Sequence, residues 1–379
     1  MSIWHALPPE LFVPIISALH ADVPSSRNCA LVCTAWVAPS RRNIFYMVRL
    51  VLRFGHCESL LALLEHTPAI ASYIREVRLV VRDMDREWDS PALRTLLVCL
   101  DKLTSVKFAL PRAPRRLLEE HPSLERITAL CLGGIFFPST ITFRRFVAAF
   151  PSLLELSVSR LLCQWWGNSG DETPHVDAPP LRILRIKPGS ISAASVLTHA
   201  VISWLVEQRS PVLLQELVLS LHTELHELSA LKELLRKGGG SLRSLVLYGG
   251  TSWAPAERID LLDHVLLLLT DIQGGYLNLE HCTSLVSLRI ASDQLGPLID
   301  TLSTIQSAHM RSLELDVFDA VVEHTLEWDK LAAVLNQPLF GRLNSLIVWA
   351  PDAQTDGPLS PFALLQQRGI VRWNPWTSK

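Results

Sequence analysis

Leu242-Arg243-Ser244-Leu245-Val246-Leu247 is the stretch on which the reading of this chain turns. Leu242 is followed by two variable positions, Leu245, one variable position and Leu247. The alternation at its end has the period of a strand with one buried face. The same spacing recurs at Ile74/Val77/Leu79, Leu103/Val106/Phe108, Ile127/Leu130/Leu132, Leu153/Leu156/Val158, Leu181/Leu184/Ile186, Leu214/Leu217/Leu219, Leu285/Leu288/Ile290 and Leu343/Leu346/Val348. Met310/Leu313/Leu315 repeats it with Met in the first place. Helical spacing fills intervals between them, as in Ala193 to Gln208, Leu225 to Lys237, Glu257 to Thr270 and Leu331 to Asn336. Strand, helix and strand in succession predict parallel strands joined by right-handed crossovers. Each unit buries about three aliphatics, too few to stand without its neighbours.

At intervals of roughly twenty to thirty residues, this pattern resembles the leucine-rich repeat. The resemblance implies an α/β fold, an irregular right-handed solenoid over residues 51–379 with a parallel sheet on its concave face. Where such repeats carry an Asn after the strand, this chain has Leu161, Gly189 and Asp293, so uneven curvature is expected. The long step from Leu242 to Leu285 contains either an insertion or a degenerate repeat around Tyr276-Leu277-Asn278-Leu279. The tail through Trp373 and Trp376 is expected to cover the open end of the last repeat.

Residues that alternate with the buried aliphatics face the other way. These are Ile183, Arg185, Lys187, Val218, Val246, Tyr248, Arg289, Glu314, Asp316, Ile347 and Trp349. They suggest an apolar and aromatic strip with a basic side at Arg185, Lys187 and Arg289 and an acidic side at Glu314 and Asp316, a face suited to a protein target. Ordinary surface variation is the competing reading. Trp165-Trp166, in the loop from Cys163 to Pro180, either tuck under the helices or project as a hot spot.

The start of the chain differs in kind. From Pro9 to His20 the apolar residues Leu11, Phe12, Ile15, Ile16 and Leu19 fall on one helical face, although Pro14 is expected to kink that helix or delay its start. A break at Asp22 to Ser26, with Ser25 or Ser26 as N-cap, leads to a second apolar stretch from Cys29 to Val37. Leu7-Pro8-Pro9-Glu10-Leu11, followed by Leu31-Val32-Cys33-Thr34-Ala35-Trp36, resembles the F-box, a three-helix module that docks on the Skp adaptor of a cullin-RING ubiquitin ligase. The resemblance covers residues 5 to about 50, within a helical module expected over residues 1–50, and with the repeats behind it is similar to the large fungal F-box families. It implies that Leu7, Pro8, Leu11, Ile15, Ile16, Leu31, Val32 and Trp36 face the adaptor. The chain would then be a non-catalytic substrate receptor, in cytosol or nucleus. The alternative is a helical cap on an interaction scaffold unconnected to ubiquitin.

Composition narrows the field. The 379 residues are 49% hydrophobic with a formal net charge of -2, so a large core is available and no basic field favours nucleic acid. Seven cysteines without framework spacing suggest a reducing compartment. The apolar run from Leu11 to Leu19 lacks a basic leader, and Val265 to Leu269 is far too short for a membrane span.

No cofactor or metal is expected. His222 and His226 lie a helical turn apart, but Thr223 stands where a zinc protease needs Glu. Asp83, Asp85, Glu87 and Asp89 alternate like a calcium loop, but Trp88 and Arg94 occupy the positions of its Gly and bidentate Glu. Gly238-Gly239-Gly240 follows a helix, the place of a C-cap, whereas phosphate loops precede one. Neither a Walker sequence nor a nucleophile elbow is present, leaving a hydrolase with little support.

Overall fold

The computed structural model describes residues 8–19, 22–52, 56–81, 91–109, 122–165, 176–187, 191–208, 212–221, 225–249, 277–292, 295–317, 325–350 and 362–375. It is a mixed α/β chain with a large parallel sheet of twelve strands. Two compact units divide it: Met1–Phe137 with Thr142–Leu154, and Pro138–Ile141 with Glu155–Lys379.

The first unit opens with three helices, α1 (Pro9–Ser17), α2 (Val23–Cys29) and α3 (Thr34–Tyr46). Both α1 and α2 pack on α3. The first helix starts at Pro9 without delay and passes through Pro14. Pro14 takes away the amide that would bond the Glu10 carbonyl, and both residues are exposed, so water can reach the bereft group. Asp22, rather than Ser25 or Ser26, caps α2 by accepting the Ser25 amide at 3.0 Å. Ser26 is instead buried, its hydroxyl donating to the Leu19 carbonyl at 3.2 Å. The stretch from Cys29 to Val37 is no single helix: the chain turns at Leu31 and Val32, whose amides bond the carbonyls of Asn28 and Cys29.

From α3 the chain passes directly into β1 (Met47–Val51), and α3 also packs on the turn Pro68–Tyr73. The helical segment of residues 1–50 thus shares its unit with the first strands. Next come β2 (Glu76–Val80), β3 (Ser105–Ala109) and β4 (Ala129–Gly133), all parallel. Val48, Val77, Val106 and Leu130 stand in register, as do Leu50, Leu79, Phe108 and Leu132. Helices His56–His66 and Pro91–Cys99 bury Leu60, Leu64, Leu93, Leu96 and Leu97. Phe137 meets Phe143 and Phe146 edge-on at 5.3 and 5.5 Å, and Phe108 meets Phe146 at 5.8 Å, a geometry that aromatic quadrupoles favour.

Two short strands, β5 (Phe136–Ser139) and β7 (Leu162–Trp165), stand outside the large sheet, while β6 (Glu155–Ser159) belongs to it. The second unit continues with β8 (Ile183–Lys187), β9 (Glu216–Leu221), β10 (Ser244–Gly249), β11 (Ser287–Ser292), β12 (Ser312–Val317), β13 (Ser345–Ala350) and β14 (Val371–Pro375). Leu184, Leu217, Leu245, Leu288, Leu313 and Leu346 form one register-matched row, all buried. Every aliphatic of the recurring pattern is buried, and each of its instances ends in a strand. Ahead of several strands one carbonyl accepts two consecutive amides: Gln215 takes Arg243 and Ser244, Arg243 takes Val286 and Ser287, and Val286 takes Arg311 and Ser312. These paired bonds satisfy the backbone where the chain turns into the sheet.

Helices Ile191–Glu207, Leu225–Gly238 and Thr325–Leu335 occupy expected intervals, joined by Leu295–Ser303; the expected helix at Glu257 to Thr270 lies outside the described residues. Gly238 is the last residue of its helix, but at φ -117° it lacks the left-handed conformation of a glycine C-cap, and the chain runs on into a tighter turn at Gly239–Ser241. Strand β10 pairs directly with β11, so among the described residues no strand of the sheet stands between Leu242 and Leu285. Leu277 and Leu279 are buried there, their amides donating to the hydroxyls of Thr301 at 3.1 Å and Thr304 at 2.8 Å. The tail does more than cover an end, since Trp373 belongs to β14, paired with β13. Its ring meets Trp328 at 5.8 Å and Phe362 at 5.5 Å. Gly189, Asp293 and Trp376 lie outside the described residues.

Candidate functional site

Each unit presents one candidate surface. In the first, the apolar arc of α1 is wider than its packing consumes. One edge, Phe12 and Ile16, turns toward α3: Ile16 is buried, its carbonyl accepts the Asn43 side-chain amide, and Phe12 lies 5.7 Å from the Trp36 ring. The other edge, Leu11 and Ile15, is left 45% and 44% exposed, one helical turn apart. Leu31, on the α2–α3 turn, is 85% exposed, and Pro8 and Val32 are exposed as well.

Two of the residues expected to face an adaptor are therefore corrected. Ile16 and Trp36 are core residues that hold α1 against α3, and no partner reaches them without unfolding the bundle. Leu7 lies outside the described residues. Val13, exposed on another side of α1, was not among the expected set.

In the second unit the sheet face opposite the buried rows carries the other surface. Arg185, Val218, Val246, Arg289, Glu314 and Ile347 occupy one register row across β8 to β13. Asp316 and Trp349 pair in the row beyond. The expected division into a basic and an acidic side is corrected by the ion pairs. Arg289 donates from Nε and Nη2 to Asp316 Oδ2 at 3.1 and 3.0 Å, and its Nη1 lies 3.3 Å from Glu314 Oε1. Its guanidinium also sits 5.4 Å from the centre of the Tyr248 ring, and the Trp349 indole N–H donates to Glu314 Oε1 at 2.8 Å. Five expected residues thus form one connected cluster. Arg185 likewise lies between two carboxylates, donating from Nε to Glu216 Oε1 at 2.7 Å and pairing through Nη1 with Glu155 Oε1. Sequence spacing missed Glu155 and Glu216, which come from strands about thirty residues away.

Burial divides the face. Lys187 is exposed and Val246, Tyr248, Ile347 and Trp349 are partly so, whereas Val218 is buried and Asp316 is 1% exposed. Burial pushes the Asp316 carboxyl above its ordinary range, against the pull of Arg289, with Glu314 adding like-charge repulsion. The Tyr248 hydroxyl is also raised by burial, opposed by Arg289. The hydrogen bond to Glu216 holds the Arg185 guanidinium more firmly protonated than usual.

Burial raises the Cys57 thiol to about 11 and Cys282 to about 12, so neither is a thiolate at neutral pH. No group of three or more His, Cys, Asp and Glu residues is gathered for a metal among the described residues, and no described helix is long and apolar enough to cross a membrane. His222 and the acidic run from Asp83 to Asp89 lie outside the described residues, as does Trp166. No protein-family model matches the chain, and no curated protein matches it.

Proposed function

We propose that this chain is a substrate receptor of an SCF-type cullin-RING ubiquitin ligase, docking the Skp adaptor through α1 to α3 and a protein target through the sheet face. One observation carries the reading: Pro8, Leu11, Ile15, Leu31 and Val32 remain exposed on a three-helix segment whose sequence resembles an F-box. Exposed aliphatics of this kind are what a partner subunit buries. The role calls for no catalytic residue, since holding a target near the transferred ubiquitin accelerates transfer through effective concentration. Co-expression with a Skp-type adaptor tests it. The expected outcome is a one-to-one complex lost in Leu11→Asp/Leu31→Asp, and absence of any complex with the unaltered chain overturns it.

A second reading, an interaction scaffold unconnected to ubiquitin, is favoured by a different observation. Helix α3 runs without a break into β1 and packs on the turn Pro68–Tyr73, as a cap on a repeat array does. The same co-expression separates the two, because a cap needs no adaptor.

A further inference from the structure

The cluster of Tyr248, Arg289, Glu314, Asp316 and Trp349 sets one guanidinium against two carboxylates and keeps an unfilled acceptor. All three nitrogens of Arg289 point to carboxylates, and the Trp349 indole N–H is given to Glu314. Asp316 Oδ1, by contrast, is buried and accepts no hydrogen bond. One guanidinium faces two carboxylates, so the cluster holds an uncompensated negative charge where low dielectric strengthens its field. Among the described residues, the next cation along this row is Arg372, in register with Ile347 and two strands from Glu314, about 10 Å away and thus about one Debye length off.

We propose that this cluster seats a cationic side chain, lysine or arginine, of the protein target. Glu314 and the rings of Tyr248 and Trp349 are partly exposed and form the rim that the cation meets. Asp316 is the closed floor, 1% exposed, whose carboxylate adds to the field at that rim without itself being contacted. An anionic group would meet two carboxylates that already engage the guanidinium of the cluster. The proposal rests on reading the sheet face as the target-binding face, and the presence of an adaptor has no part in it.

The test titrates the full chain, without adaptor, with a blocked tetralysine peptide and separately with tetraglutamate. The indole N–H resonance of Trp349, assigned through Trp349→Phe, is the readout. Tetralysine is expected to shift that resonance, tetraglutamate to leave it in place, and Glu314→Gln to weaken tetralysine binding about tenfold. Glu280→Gln, an exposed acid away from the cluster, is expected to change nothing. A resonance that does not move, undiminished binding in Glu314→Gln, or equal weakening by Glu280→Gln overturns the proposal. Glu314 is partly exposed, so its variant tests the site even where Asp316→Asn fails to fold. Co-purification with an adaptor, scored on the same chain, reports separately on the ligase reading.

Discussion

Asp316 holds a charge where water barely reaches it, and that sets a direction for the pH dependence of stability. Its carboxyl is raised by burial above the ordinary value of 3.8, so between 3.8 and its folded value the folded state keeps a proton that the unfolded chain has released. The stability linked to that proton is whole below 3.8 and is lost as pH rises through the folded value. Asp316→Asn has no such proton to lose. The melting temperature of the variant relative to the native chain should therefore climb as pH rises from 3.8, and a constant difference across a pH series would refute the linkage. The same residue shows where sequence reading stops. Alternation put Asp316 and Arg289 on one face, but which of them pair depends on register between strands, and the burial of Asp316 depends on what surrounds it. Glu155 and Glu216 were missed for that reason: nothing near Arg185 in sequence announces a partner about thirty residues away.

At the scale of elements, exposure decides what a substitution does. Leu31→Asp should leave thermal unfolding nearly unchanged while removing adaptor binding, because Leu31 touches little of its own chain. Trp36→Ala, by contrast, should cost about 3 to 5 kcal/mol in denaturant unfolding, since Trp36 is 7% exposed and packs beside Phe12. Leu245→Asp puts a charge into the row between Leu217 and Leu288 and should abolish the cooperative transition; unchanged thermal unfolding would contradict the register. The strands carrying three spaced aliphatics were legible because burial of one face imposes that spacing. Strands β1 and β14 were not, since each supplies only a fragment of it, Val48 and Leu50 in one and Val371 and Trp373 in the other. The Asp22 cap and the turn at Leu31 were hidden by neighbouring residues with similar capping or helical preference.

At the scale of the whole molecule, the large sheet has edges that must be managed. Removal of residues 362–379 would strip β14 from β13, expose the row at Leu346 and Val348, and take Phe362 away from Trp328. The truncated chain should aggregate, and a monomer of native stability by light scattering and thermal unfolding would show that β14 is dispensable. The mixed α/β class and the parallel strands followed from the recurrence of one spacing. Where the chain divides into compact units did not, because the aliphatic pattern runs on through both.

The direct pairing of β10 with β11 across a long step in sequence has a consequence for how such a chain can change. Lengthening a crossover adds a loop-closure term that grows only with the logarithm of its length, while neighbouring strands keep their alignment. The step between these two strands is thus a place where new sequence can accumulate, by mutation or by grafting, with Leu245 still matched to Leu288.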